Sequence, residues 1–313
     1  MSIYQPEEMD FRSKKFSMII AGAPGSGKTT LAMSAPNPVL VDLDKGVSRI
    51  RAMHRRTTIV CDKYEELLED IQSEAVRQAE TIVIDTGGSL VTYLQDWAMR
   101  ENPTLNRQKN GAISLKGFGA VKNEFTRFTN MLQYTMDKNI IYIFHTVEEK
   151  DGDIVKQRLM CEGAARNIVW QPCDLGCQLM ILGEKRFMGF GPDERYFAKR
   201  CYGISGLVEI PNLDNGAPND MLTRLFAQAR ENIAQEAAQY KAEEPLYLAA
   251  IAAGREIVDN VTDGETALAA GGKIKGLRHA LTSEKEIRAM LSSRIRELGL
   301  KWDKEAGAYV SAE

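Results

Sequence analysis

The sequence predicts an α/β fold: a mostly parallel sheet flanked by helices, followed by a small, mainly helical C-terminal region. Three observations predict it. Short apolar runs alternate with segments whose apolar residues recur at helical spacing, the pattern of a sheet covered on both faces. A glycine-rich loop joins the first such run to the first helix. After about residue 240 the runs give way to Ala- and Glu-rich helix. The expected divisions are an arm over residues 1–15, an α/β core over 16–240 and a helical region over 241–313.

In chain order, Phe16–Ala21 reads as a buried strand, and Lys28–Ser34 as a helix that Pro36 ends. Val39–Leu43 is a second strand and Thr57–Val60 a short third one. Tyr64, Leu67, Leu68 and Ile71 share a helical face, predicting one amphipathic helix over 63–78. Thr81–Ile84 is a fourth strand ending at Asp85, followed by a helix over 88–100. A polar loop over 102–116, a helix over 118–137, a strand at Ile140–Phe144 and a second polar loop over 146–167 come next. Glycines and Pro192 punctuate short strands across 177–210, and Pro218-Asn219-Asp220 starts another helix. Near the C-terminus, Ser283-x-x-Glu286 predicts a capping box. Ile287, Met290, Leu291, Ile295 and Leu298 then line one helical face, with Gly299 as its cap and a hairpin over 301–310.

The chain has 313 residues, 44% of them hydrophobic, and a net charge of −3. It does not carry the basic balance that nucleic-acid binding usually leaves, although a local basic loop could still serve. No apolar run approaches the ~20 residues that span a bilayer, and the N-terminus lacks a signal pattern. A cytoplasmic protein without membrane contact is expected. Five cysteines, an odd count, argue against a disulfide scaffold. Cys173-x-x-x-Cys177 has loose metal-ligand spacing but no second pair, so buried thiols are the better reading.

The loop Gly22-Ala23-Pro24-Gly25-Ser26-Gly27-Lys28-Thr29 is a complete phosphate-binding motif between a strand and a helix, with Thr30 continuing it. Its glycines let backbone N–H groups turn toward phosphates, and the helix N-terminus adds positive potential. Lys28 is expected to reach the β- and γ-phosphates and Thr29 to ligate Mg²⁺. Asp85, at the end of an apolar strand, is the expected second Mg²⁺ ligand, held at a neighbouring strand tip. Asp42 and Asp44 both end the second strand. Asp44 lies nearer the carboxyl edge, where ligands of open α/β sheets sit, and is the favoured base for water. His145 ends the Ile140–Phe144 strand and is read as a sensor of the γ-phosphate or the attacking water. The Asn-Lys-x-Asp guanine motif is absent, which makes ATP the expected nucleotide.

The order of these elements resembles the RecA-like P-loop NTPase core, most closely the phage-encoded RecA-like ATPases of single-strand annealing and recombination. The resemblance covers about residues 16–235. Val39–Gly46 is similar to the strand carrying the family's catalytic carboxylate, where Asp44 replaces the usual Glu. Thr81–Thr86 resembles the Mg²⁺ strand, and Ile141–His145 the strand that ends in the γ-phosphate sensor. Ala198-Lys199-Arg200-x-x-Gly203 is similar to a late basic motif. By analogy Lys199 or Arg200 would reach the nucleotide of an adjacent subunit.

The resemblance further implies that the two loops after the Mg²⁺ and sensor strands meet single-stranded DNA. Their cations are Arg107, Lys109, Lys116, Lys150, Lys156, Arg158 and Arg166. It also implies a homo-oligomer, ring or filament, and a possible single-strand-binding protein as partner of the C-terminal region. Two other readings stay open: a nucleotide-gated assembly or switch ATPase that binds protein and not DNA, and a small-molecule kinase, for which the 146–167 loop holds few arginines.

Overall fold

The computed structural model describes residues 11–161, 168–191 and 193–311. Of the expected site residues only Arg166 lies outside them. The chain divides into two compact units, Met1–Asn232 and Ile233–Glu313. The division falls inside one helix, a few residues before the compositional change at 240.

The first unit is built on a nine-stranded sheet. Its strands are β1 (Ser17–Gly22), β2 (Pro38–Asp42), β3 (Thr58–Ile59), β4 (Thr81–Asp85), β5 (Asn139–Asp151), β6 (Ile154–Leu159), β7 (Leu175–Leu182), β8 (Lys185–Gly189) and β9 (Leu207–Ile210). The order is β3-β2-β4-β5-β1-β7-β8-β9, with β6 paired to the far end of β5. All pairings from β3 to β7 are parallel, while β8, β9 and β6 join antiparallel.

The central strands read as unbroken apolar runs because both faces are covered. Ile19, Val41, Ile82, Ile84, Ile140, Tyr142 and Phe144 share one core with α2 (Tyr64–Asp70), α4 (Gly87–Glu101) and α6 (Leu115–Asn130). The alternate residues Met18, Ile20, Leu40, Val83, Ile141 and Ile143 are equally buried. Each such side chain contributes roughly 1.5–3 kcal/mol on leaving water, so a one-residue slip of register would forfeit many contacts at once. On the opposite side of the unit, the first turns of α7 (Met221–Asp259) dock by Phe226 on Phe16, with ring centroids 5.3 Å apart. Thr223 N also donates to Ser34 O at 3.1 Å.

Several expectations are corrected. The 63–78 helix is two short ones, α2 and α3 (Glu74–Gln78), because the chain turns at Gln72 and restarts with Ser73 at the N-cap position. The 102–116 loop contains the one-turn α5 (Pro103–Asn106), started by the Asn102 side chain accepting from Leu105 N. The largest difference lies at 146–167. Residues 146–151 continue β5 and pair with β6 as a hairpin about Asp151-Gly152-Asp153, with Gly152 at φ 63°. Asp-Gly is a turn signal, but charges on both faces of the two arms hid their alternation.

The second unit packs the rest of α7, α8 (Gly264–Lys275), α9 (Ser283–Glu297) and the hairpin β10 (Leu300–Asp303) and β11 (Ala308–Ser311). Ile251, Val258, Ile274, Ile287, Leu291 and Ile295 form its core. The capping box is not at Ser283, whose hydroxyl accepts from Ala280 N. It starts α8, where Asp263 and Thr266 cap each other reciprocally.

Candidate functional site

The carboxyl ends of β1, β2, β4 and β5 meet at the phosphate loop. Gly22, the last residue of β1, pairs with His145 on β5, and Asp85 on β4 pairs with Ile143. β5 therefore separates the loop strand from the Asp85 strand, and the two are not neighbours as expected. The separation places His145 between them.

The loop itself turns through Gly25 and Gly27, with φ of 74° and 87°. These are left-handed conformations that other residues adopt only with strain. The helix that follows, α1 (Lys28–Ala32), has five residues. A single turn carries little macrodipole, so the positive potential comes from the loop amides and Lys28. Lys28 is buried, and its ammonium donates to Gly22 O at 2.9 Å and Ala23 O at 2.8 Å. Desolvation lowers its pKa to about 8, against the opposing pull of Asp85. Ser26 Oγ is buried without a hydrogen-bond partner among the described residues. A buried cation and an unpartnered hydroxyl on a glycine-rich turn fit a phosphate group.

Thr29 Oγ1 donates to Asp85 Oδ2 at 2.7 Å. One hydroxyl and one carboxylate, completed by phosphate oxygens, form the hard oxygen set that Mg²⁺ takes. Burial raises the Asp85 pKa to about 6, aided by the nearby Asp44 and Asp42 charges. Mg²⁺ at this pair would shield the phosphate charge and favour ionised Asp85. Among the described residues no group of three His, Cys, Asp or Glu side chains could hold another metal. Cys173 and Cys177 are buried thiols whose pKa burial pushes well up.

The structure separates Asp42 from Asp44. The Asp42 carboxylate accepts from Gly46 N at 2.8 Å and Val47 N at 2.7 Å, so it closes the turn after β2. The chain has left the strand by Asp44, which accepts from Ser89 Oγ and lies 3.9 Å from His145 Nε2. Ser89 is set in turn by Thr86, the N-cap of α4, whose hydroxyl lies 3.0 Å from the Ser89 hydroxyl. The first residue of α4 is a glycine, Gly87, and the Phe144 ring occupies the place of a Cβ there. Burial lowers the His145 pKa, with Lys28 and Arg49 adding to the effect and Asp44 opposing it. The imidazole is thus neutral at neutral pH, and its buried Nδ1 has no partner among the described residues.

These groups line an open cleft of about 1390 Å³ with Pro24, Gly25, Gly27 and Thr30. Sequence reasoning missed Ser89, which holds Asp44, and two arginines of the cleft. Ser89 left a local signal in Thr86-Gly87-Gly88-Ser89, a cap before a helix. Arg49, on a turn after β2, and Arg186, on β8, reach the cleft only through the fold.

The other expected residues lie elsewhere. Lys199 donates to Cys173 O and borders a separate cavity of about 740 Å³ with Arg158, Trp170 and Phe197, while Arg200 is exposed. Arg107, Lys109 and Lys116 are exposed around the start of α6. Lys150, Lys156 and Arg158 lie on the β5–β6 hairpin, where Lys156 pairs with Asp151 at 2.5 Å and Arg158 with Glu149 at 3.9 Å. No helix among the described residues is long and apolar enough to cross a membrane.

Comparison with solved structures finds a KaiC-like protein from Pyrococcus horikoshii, at 16% identity and a TM-score of 0.35, covering 63% of this chain and 89% of that one. It also finds the flagellar accessory protein FlaH from Methanocaldococcus jannaschii, at 11% identity and a TM-score of 0.33, covering 63% and 90%. Likeness this distant says nothing of ligand or activity. No curated protein matches. Among family comparisons, residues 14–202 match the family described as AAA domain. That span is more than half of the chain and holds the phosphate loop, Asp44, Asp85 and His145, so this chain belongs to the AAA domain family.

Proposed function

We propose that the chain hydrolyses ATP with Mg²⁺ and couples the reaction to binding of single-stranded DNA, as in phage-type recombination and strand annealing. One observation carries the hydrolytic part: Asp44, held by Ser89 beside the neutral His145, faces the same cleft as the Thr29–Asp85 pair. Thr29 and Asp85 would hold Mg²⁺, which would neutralise phosphate charge. Lys28 binds those phosphates, Asp44 orients and deprotonates water, and His145 registers the γ-phosphate.

The DNA part rests on the resemblance to the recombination ATPases and on one continuous strand. β5 runs from the sheet through His145 into the hairpin that carries Lys150, Lys156 and Arg158. A displacement at His145 has a direct mechanical route to that hairpin.

A second reading has its own support. The hairpin carries Glu148, Glu149, Asp151 and Asp153 against three cations, two of them paired with carboxylates. This favours a nucleotide-gated assembly that binds a protein partner. The deciding measurement is the ATPase rate of wild type and Lys28→Ala, with and without single-stranded DNA, at low and high salt. The DNA reading expects stimulation that fades with salt and is lost in Lys28→Ala. A rate indifferent to DNA, with no DNA retained at low salt, leaves the protein-partner reading.

A further inference from the structure

Arg186 stands on β8 opposite Ile181 of β7, just past the turn at Gly183. Its Nη1 occupies the place from which a side chain on Gly27 would grow. Gly27 is a loop residue flanking Lys28, so the guanidinium rests directly on the phosphate loop. It borders the large cleft with Gly25, Gly27 and Thr29. On its other side it borders a small recess with Thr30, Leu31 and Ile210.

Two other cations of the cleft are engaged. Lys185 pairs with Glu209 at 3.0 Å, and Arg51 pairs with Asp214. Arg186 makes no ion pair and no side-chain hydrogen bond among the described residues. It borders the same cleft as the buried Lys28 ammonium. An Arg guanidinium suits a phosphate in particular, because its planar fork can give two parallel hydrogen bonds.

Position decides which phosphate. The Mg²⁺ pair, Asp44 and His145 mark the γ-phosphate end of the cleft. Arg186 makes no hydrogen bond or ion pair to any of them; it lies on Gly27 and borders Thr30, where the loop amides cradle the α- and β-phosphates. We propose that Arg186 binds, within its own subunit, the α- and β-phosphates that ADP and ATP share. This rests on the nucleotide reading above. It gives the site a cation in cis, independent of any residue that a neighbouring subunit supplies.

The test is equilibrium binding of ADP and of ATP to the full chain, comparing wild type, Arg186→Gln and Arg186→Lys. Losing a charge-assisted hydrogen bond to phosphate weakens binding by roughly 10–100-fold. That loss is expected for ADP and ATP alike in Arg186→Gln, with a smaller loss in Arg186→Lys, and in KM more than in kcat. Unchanged ADP affinity in Arg186→Gln would overturn the assignment. So would a loss confined to ATP, which would move the guanidinium to the γ-phosphate. Wild type that binds neither nucleotide would overturn the nucleotide reading and this inference together, an outcome separate from a failure at Arg186 alone.

Discussion

Thr29 Oγ1 and Asp85 Oδ2 are 2.7 Å apart although β5 runs between the strands that lead to them. The contact closes the end of the cleft proposed to take Mg²⁺ and holds the Asp85 carboxylate in a poorly solvated place. Burial raises its pKa from 3.8 to about 6, so ionised Asp85 opposes folding at neutral pH. The sign follows from proton binding: a carboxylate whose folded pKa is raised destabilises the fold as pH climbs from the unfolded value through the folded one. Asp85→Asn keeps an acceptor for Thr29 and removes the charge. It is expected to raise stability at pH 7 by on the order of 2 kcal/mol while abolishing Mg²⁺-dependent turnover. Urea unfolding at pH 7 and at pH 4 checks this: the gain should shrink at the lower pH.

Lys28 and Asp85 also set the pH range of the free enzyme. Nucleotide capture needs Lys28 protonated, with its pKa near 8, and metal capture needs Asp85 ionised, with its pKa near 6. kcat/KM is therefore expected to be bell-shaped, falling below about pH 6 and above about pH 8. Bound phosphate stabilises the ammonium, so the alkaline limb of kcat should lie higher than that of kcat/KM. A flat kcat/KM profile between pH 5 and pH 9, beyond both flanks, would show that neither group titrates as its surroundings dictate.

Asp44 and Ser89 are tied by a direct hydrogen bond. Asp44→Asn retains the shape and loses the proposed base, so ATP should bind with near wild-type affinity while kcat falls by roughly 10²–10⁴-fold, the usual share of a general base. Ser89→Ala leaves the base and frees its orientation, and roughly a 10-fold fall is expected. Pre-steady-state mixing with labelled ATP separates the two effects. Unaltered turnover in Asp44→Asn would hand the base to another group.

Sequence served these residues unequally. The loop from Gly22 to Thr29 was legible because every part of it is local: a strand, glycines at turning points and a lysine beside a threonine. The Asp42 and Asp44 pair was half legible. Alternation puts both on one face if the strand runs on, but β2 stops at Asp42, whose carboxylate is then consumed by Gly46 N and Val47 N. Arg49 and Arg186 were not legible at all. They reach the cleft from a turn after β2 and from an antiparallel strand about 160 residues downstream of the loop, and only the sheet order unites them. The β5–β6 hairpin was legible in its Asp151-Gly152 turn and hidden in its arms, where charged residues on both faces remove the apolar alternation that marks a half-buried strand.

The late basic motif yields the last prediction. Lys199 is engaged with Cys173 O and turned to the second cavity, whereas Arg200 is exposed. If head-to-tail assembly completes the site, Arg200 is the residue free to cross. Arg200→Ala and Lys28→Ala should then each be inactive alone, for different reasons. The first keeps an intact phosphate loop and lacks the donated guanidinium, and the second keeps the guanidinium and lacks the loop. In a 1:1 mixture, roughly a quarter of head-to-tail interfaces would join an intact loop to an intact Arg200. Partial recovery of ATPase activity on mixing, rising with total protein concentration, is the expected result. Full activity of Arg200→Ala alone would leave Arg186 and Lys28 as the cations of the site, and two inactive variants that stay inactive together, at concentrations where wild type is active, would show that Arg200 does not act on a neighbour's nucleotide.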